Sequence, residues 1–417
     1  MLKKIPVSQL AQGMFIHAFE GSWVDHPFWR TKFVIRDDAT LRKVWSSGVK
    51  ECWIDTSQGS DVSAPESEGV TPLRAVPEII SRSQPAEPEP VERPEIGEPT
   101  SMSEEIKRAT VLCKRSKEAV QSMFKEARLG KAVDAEACMP LVNDIADSVY
   151  RNPGALVSLA RLKTADEYTY MHSVAVCALM VSLGRALNLD EAQCREAGLA
   201  GLLHDLGKAA TPQEVLNKPG KLTAEEFEII KRHPVLGYEM LLTGKSVSPG
   251  ALDVCRHHHE RMDGTGYPDR LPGDQLTLLA RMGAVCDVYD AVTSNRPYKA
   301  GWDPAESIAQ MASWKGHFDP MVFQAFVKSL GIYPTGSLVR MQSGKLAVVV
   351  EQNPHALTAP KVKAFFSIKS EMPIATEILD LSKSSCRDRI EARESPAKWK
   401  FSHLDELWAG DEAAKRR

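Results

Sequence analysis

From Glu104 to about Leu330, apolar residues recur every three or four positions in one segment after another. MSEEIKRATVLCKRSKEAVQSMFKEARLG, HSVAVCALMVSLGRALNL and AQCREAGLAGLLHDLGK are examples. That spacing matches the helical repeat, so each segment carries a face that must be buried against another helix. In KLTAEEFEIIKRHP, Thr223 and Glu226 stand at capping-box spacing and mark a helix start. Pro234 suits the first turn of the helix that follows, which leaves His233 at the junction. A helical domain is therefore expected over residues 104–332.

The pattern changes on both sides. GMFIHAF and KFVIRD read as short strands, and DATLRKVWSSGVKECWIDTSQG reads as a helix, a Gly stop and a further strand. This predicts a small α+β unit over residues 1–58. Residues 59–103 are rich in Pro, Glu and Ser; such a stretch cannot bury enough apolar area to offset its ordering entropy, so it reads as a flexible acidic linker. Beyond the helices, GSLVRMQSGKLAVVVEQ alternates about a Ser-Gly turn and predicts a β-hairpin, the start of a small β-containing region over residues 333–417. The expected fold class is mainly α, with a small α/β domain in front and a small β-containing appendage behind.

The formal net charge of −3 gives no support to a general binder of DNA, RNA or membrane surfaces. The eight cysteines are scattered singly with no Cys-x-x-Cys pair, which fits a reducing cytoplasm better than a disulfide framework. MLKKIPVSQLAQGMF has no apolar core of signal-peptide length, and no run of about 18 apolar residues occurs, so no membrane span is expected. Trp23 and Trp29 in SWVDHPFWR are expected to pack rather than to form a ligand pocket.

Histidines and carboxylates concentrate in the helical region: His172, the pair His204-Asp205, His233, the trio His257-His258-His259, and Asp287. His204-Asp205 ends the apolar helix AGLAGLLHDLGK, where an unpaired carboxylate would be costly to bury. A metal ion coordinating both groups removes that cost. Mixed imidazole and carboxylate ligands favour iron, manganese or zinc over calcium, and the lack of a cysteine cluster argues against structural zinc. The set is too large for one ion and suits two with bound water, since an aspartate has two oxygens and can bridge a pair. Positive residues lie nearby: Lys208 four positions after His204, on the same side if the helix runs through Gly207, and Arg296 and Lys299 after Asp287. A phosphodiester would meet metal ions on one side and these cations on the other.

HDLGK, then HPVLGYEML, then HHHERMDGTGYPDRLPGDQL, then RMGAVCDVYDAVTSNRPYK resembles the HD-GYP family. These are all-helical HD-superfamily phosphohydrolases that cut the bacterial second messenger cyclic di-GMP. The resemblance covers about residues 160 to 330, and the first 58 residues resemble a domain of unknown function often found ahead of HD-GYP domains. It implies a metal-dependent cyclic di-GMP phosphodiesterase with a pair of divalent ions, Fe or Mn foremost, with Ni, Co or Zn as alternatives. The implied ligands are His172, His204, Asp205, His233, His258, His259 and Asp287, with Asp205 bridging; His257 receives no role. Asp205 and Lys208 carry the catalysis, while Lys208, Arg296 and Lys299 meet phosphate. Gly266, Tyr267 and Pro268 form the signature loop at the edge of the site, shaped by Glu260 and by Asp263 as a turn cap.

Some members place a Glu four residues before the first His ligand and bind a third ion. Tyr168 stands there in this chain, with Asp166 and Glu167 nearby, which implies a two-metal site and a linear dinucleotide (pGpG) as main product rather than GMP. Two other readings use the same residues. One is a nucleotide-binding module that recruits a partner such as a GGDEF-type cyclase; the other is an HD phosphohydrolase acting on a different cyclic dinucleotide. Neither reading fixes the assembly, for which a homodimer is one expectation.

Overall fold

The computed structural model describes residues 2–19, 33–35, 41, 51–60, 99–163, 168–218, 220–294, 301–399, 401 and 404–410. Most of the Pro/Glu-rich stretch, Trp23 and Trp29, Asp166 and Glu167, and Arg296 and Lys299 lie outside the described residues. The chain divides into two compact units, Met1–Pro94 and Glu95–Arg417. Among the described residues no helix is long and apolar enough to cross a membrane.

In the first unit, strands β1 (Leu2–Pro6), β2 (Phe15–Phe19), β3 (Phe33–Val34) and β4 (Glu51–Asp55) form one antiparallel sheet in the order β1-β4-β2-β3. Alternation along β4 sends Cys52 and Ile54 inward, where they meet Ile5, Leu10, Ile16 and Ile35. This small core is separate from that of the rest of the chain.

The second unit is built on helices: α1 (Met102–Arg128), α2 (Ala135–Arg151), α3 (Pro153–Arg161), α4 (Tyr168–Ala186) and α5 (Glu191–Leu203) come first. After a 3-10 turn (Leu206–Ala210) follow α6 (Gln213–Leu216), α7 (Ala224–Ile230), α8 (His233–Leu242), α9 (Pro249–His257), α10 (Leu278–Thr293), α11 (Pro304–Ser313) and α12 (Pro320–Leu330). Thr223 and Glu226 form the expected capping box at the start of α7, and Pro234 sits in the first turn of α8. Every residue from Met171 to Gly184 is buried, so α4 is apolar all round and forms the central post of the unit. Helix α1 belongs to the same core through Ile106, Leu112 and Phe124.

The C-terminal sheet contains β5 (Leu338–Met341), β6 (Lys345–Glu351), β7 (Lys361–Ser367), β8 (Met372–Asp380) and β9 (Ile390–Arg393), antiparallel in the order β8-β7-β6-β5-β9. The expected hairpin is β5–β6. Its two faces are both covered: Val339, Ala347 and Val349 pack within the sheet's own core, while Leu338, Leu346 and Val348 join the helical core. The small β region expected after the helices thus shares part of its interior with them.

Candidate metal centre

Four helix ends and one helix interior supply the cluster. His172 lies in the first turns of α4, His204 and Asp205 follow the end of α5, His233 opens α8, His258 and His259 follow α9, and Asp287 lies within α10. Close backbone contact brings two of these ends together. A Cβ on Gly207 would stand 1.9 Å from the His233 carbonyl oxygen, so only glycine lets the 3-10 turn touch α8. That contact sets Asp205 beside His233.

Asp205 is fully buried and addresses two groups of imidazoles. Its Oδ2 lies 3.4 Å from both His172 Nε2 and His204 Nε2, while Oδ1 lies 3.1 Å from His233 Nε2 and 3.8 Å from His258 Nε2. Asp287 closes the first group, with Oδ1 2.9 Å from His172 Nε2, and reaches the second through Oδ2, 3.6 Å from His259 Nδ1. Donor atoms of His172, His204 and Asp287 lie within 4.8 Å of one another, as do those of His233, His258 and His259.

Hydrogen bonds fix which ring nitrogens face the centre. Nδ1 of His204 donates to the Gly201 carbonyl at 2.7 Å, that of His233 to Ile230 at 2.7 Å, and that of His258 to Val254 at 3.0 Å. Each Nε2 is then left as a lone pair pointing inward. Yet His233 Nε2 and His258 Nε2 stand 3.2 Å apart, and His204 Nε2 and His172 Nε2 3.3 Å apart. Asp205 Oδ1 likewise receives no aligned hydrogen bond. Acceptors facing acceptors in a dry pocket repel; a cation between them turns the repulsion into coordination, so the donor set fits divalent metal.

The carboxylates draw positive charge into the same place. Burial opposes a charged imidazole at His204, yet Asp205 and Asp287 raise its pKa to about 10, so a proton competes with a cation for its Nε2. Burial and the neighbouring imidazoles push His258 well below the ordinary histidine range, and His259 falls to about 3. Burial also works against an ionised Asp205, but the Lys208 ammonium and His204 hold it well below the usual carboxylate range. Lys208 Nζ lies 2.5 Å from Asp205 Oδ2. Helix α5 stops at Leu203, so Lys208 does not continue it; the three-residue step of the 3-10 turn carries it over Asp205 instead.

The Gly266-Tyr267-Pro268 loop flanks His259. The Tyr267 ring stacks on that imidazole at 4.7 Å between centroids, and the Tyr267 N–H donates to the His259 carbonyl at 3.2 Å. A Cβ on Gly266 would meet Glu260 Cα at 2.4 Å, so the loop lies directly on the Glu260 main chain. Buried Glu260 accepts from the Asp269 and Arg270 N–H groups at 2.7 and 2.8 Å, and Asp263 caps the turn by accepting from Thr265 at 3.0 Å. His257, without a role in the sequence reading, bridges Asp253 (2.7 Å) and Asp269 (3.1 Å) and so ties α9 to the end of this loop.

Two residues escaped the sequence reading. Asp290 Oδ2 accepts from His172 Nδ1 at 2.6 Å and from Lys163 Nζ at 2.5 Å, and the Lys163 side chain is fully buried. Asp290 thereby orients the His172 ring, doing with a side chain what main-chain carbonyls do for His204, His233 and His258. Tyr168, four residues before His172, stacks on its ring at 5.7 Å with an 8° interplanar angle.

A domain of unknown function (DUF3391) matches residues 2–138 and the HD domain matches residues 141–322. A cyclic di-GMP phosphodiesterase of Pseudomonas aeruginosa is 54% identical over 98% of this chain and 96% of its own length. A cyclic di-GMP phosphodiesterase response regulator of Xanthomonas campestris is 41% identical over 41% of this chain and 47% of its own. A 3'3'-cGAMP-specific phosphodiesterase of Vibrio cholerae is 35% identical over 38% of this chain and 31% of its own.

Proposed function

The chain belongs to the HD-GYP family of cyclic di-GMP phosphodiesterases, and from that premise we propose that it opens cyclic di-GMP at a two-cation centre, leaving linear pGpG as main product. The carrying observation is Asp205, whose two oxygens face separate imidazole groups at 3.1 to 3.8 Å. His172, His204, His233, His258, His259 and Asp287 complete the proposed ligands, with Asp205 shared. When bound, the ions supply Lewis acidity towards the phosphodiester and lower the pKa of coordinated water. Iron or manganese best suits imidazoles and carboxylates without thiolate.

The chain's own side chains do the rest. Lys208, 18% exposed and anchored on Asp205, presents a fixed positive charge where negative charge builds on the phosphate oxygens. Main-chain carbonyls and Asp290 hold His204, His233, His258 and His172 each in one tautomer, so none of these four rings must reorient during the reaction. Tyr267, backed by His259, offers an aromatic face at the rim for a guanine base. The pGpG product is supported by Tyr168, a stacked phenol where a further carboxylate would be needed for a third ion. Eight free cysteines support a reducing cytoplasm as the place of action.

The test is turnover by the full chain loaded anaerobically with Fe(II) or Mn(II), with products separated by chromatography. Accumulation of pGpG is expected, and equal amounts of cyclic di-GMP and 3'3'-cGAMP in one reaction give the preference. No turnover with Fe, Mn, Ni or Co rejects the proposal.

A further inference from the structure

Helix α3, the C-terminal ends of α10 and α12 and the chain leaving β6 enclose a cavity of about 290 Å³, with Asp290 in its wall. That size is near the lower end for small-molecule sites, roughly 300 Å³ and upward. Much of the lining is apolar, including Val157, Leu179 and Leu330.

The charges around it do not cancel. Asp290 is paired with Lys163 at 2.5 Å, Glu351 with Lys361 at 2.9 Å and Arg151 with Glu105 at 2.8 Å. Arg161 and Lys328 also line the cavity, and among the described residues neither has a carboxylate within ion-pair distance. Arg161 is 9% exposed, donates to the Thr335 carbonyl at 3.3 Å and lies over the Trp408 ring at 5.8 Å, with the buried Asp303 carboxylate near enough to offset part of its charge. Partial burial without a counterion pulls the Lys328 pKa down. The Thr335 side chain lines the same space; the residue is 3% exposed and its hydroxyl has no hydrogen-bond partner. A buried hydroxyl without a partner and a half-buried ammonium without a carboxylate in ion-pair reach are each costly, and one ligand can relieve both, with Arg161 as a second donor to it.

We propose that this cavity binds a small amphipathic anion, a carboxylate head on an apolar body, with the head between Lys328 and Arg161 accepting from Thr335 and the body against Val157, Leu179 and Leu330. The site does not depend on the phosphodiesterase reaction, and its occupant lies one hydrogen bond from His172 through Asp290.

Titration calorimetry of the full chain tests this with hexanoate, octanoate and phenylacetate, each beside its matched alcohol. At least one acid is expected to bind one to one, about tenfold more tightly than its alcohol, the value of one charge-assisted hydrogen bond. Lys328→Met and Thr335→Val are each expected to weaken the acid while leaving the alcohol unchanged. Thermal melts by circular dichroism report folding, and Thr335→Val carries the test if Lys328→Met does not fold. Absence of binding by all three acids, or binding that ignores the folded variants, overturns the proposal.

Discussion

His233 Nε2 and His258 Nε2 stand 3.2 Å apart, although each ring has already committed its Nδ1 proton to a main-chain carbonyl. Two lone pairs at that distance are stable only with positive charge between them. Stripping metal with a chelator should therefore lower the melting temperature as well as abolish turnover, and Mn(II) should restore both. At one hundred times the dissociation constant the restored stability is about 2.7 kcal/mol. Melting curves that ignore added metal would count against a metal centre here.

Asp205→Asn keeps the shape of the side chain but removes its charge, leaving Lys208 without its carboxylate. Hydrolysis of cyclic di-GMP should fall about a hundredfold or more, as when a group that stabilises transition-state charge is lost. Elemental analysis of the same protein should show fewer bound ions. Full metal content together with unchanged turnover would remove Asp205 from its assigned place.

Asp290→Asn leaves His172 in the cluster but weakens its orientation. Metal affinity should drop by roughly tenfold to a hundredfold, the usual cost of losing an outer partner of a ligand. Because the loss is in affinity, turnover should recover at high metal concentration. A defect that excess metal does not rescue would place Asp290 elsewhere in the reaction.

Gly266→Ala drives a methyl into Glu260 Cα at 2.4 Å, backbone that cannot swing aside. The strain should cost about 1–3 kcal/mol, seen as a lower melting temperature. Limited proteolysis should show new cutting between Glu260 and Arg270.

Glu105 gives a pH test away from the metal site. Burial opposes its ionisation, but Arg151 at 2.8 Å and Ser148 at 2.7 Å outweigh it and lower the pKa. The unfolded chain then takes up this proton first. The stabilisation is complete above the ordinary glutamate range and is lost as pH falls through the depressed folded value. Glu105→Gln should flatten that part of the acid unfolding curve, read by circular dichroism from pH 6 downward, and an unaltered acid limb would show that Glu105 contributes nothing to it.

Much of the candidate site was legible in the sequence because each proposed ligand lies in, or directly after, a helix rich in apolar residues. His204-Asp205 at the end of α5 and His233 beside Pro234 are local patterns, and local patterns survive into the fold. Lys163 and Asp290 were not legible: their hydrogen bond joins residues 127 positions apart, and no periodicity encodes such a pairing. One clue was present, since Asp290 follows Asp287 by three positions and shares its face of α10. The small C-terminal β region was legible as such, while its packing on the helices was not drawn out, although the unbroken apolar run of β6 signals burial on both faces.

His204, His233 and His258 take their orientation from peptide carbonyls, which no substitution can delete. His172 and His259 lean on side chains instead, His172 on Asp290 and through it Lys163, His259 on Asp287 and the Tyr267 ring. Three corners of the cage are thus written into the main chain and two are open to evolutionary adjustment. Relatives that have drifted towards a different ion would carry their changes at those two corners, around residues 163, 267 and 290, with His204, His233 and His258 left alone.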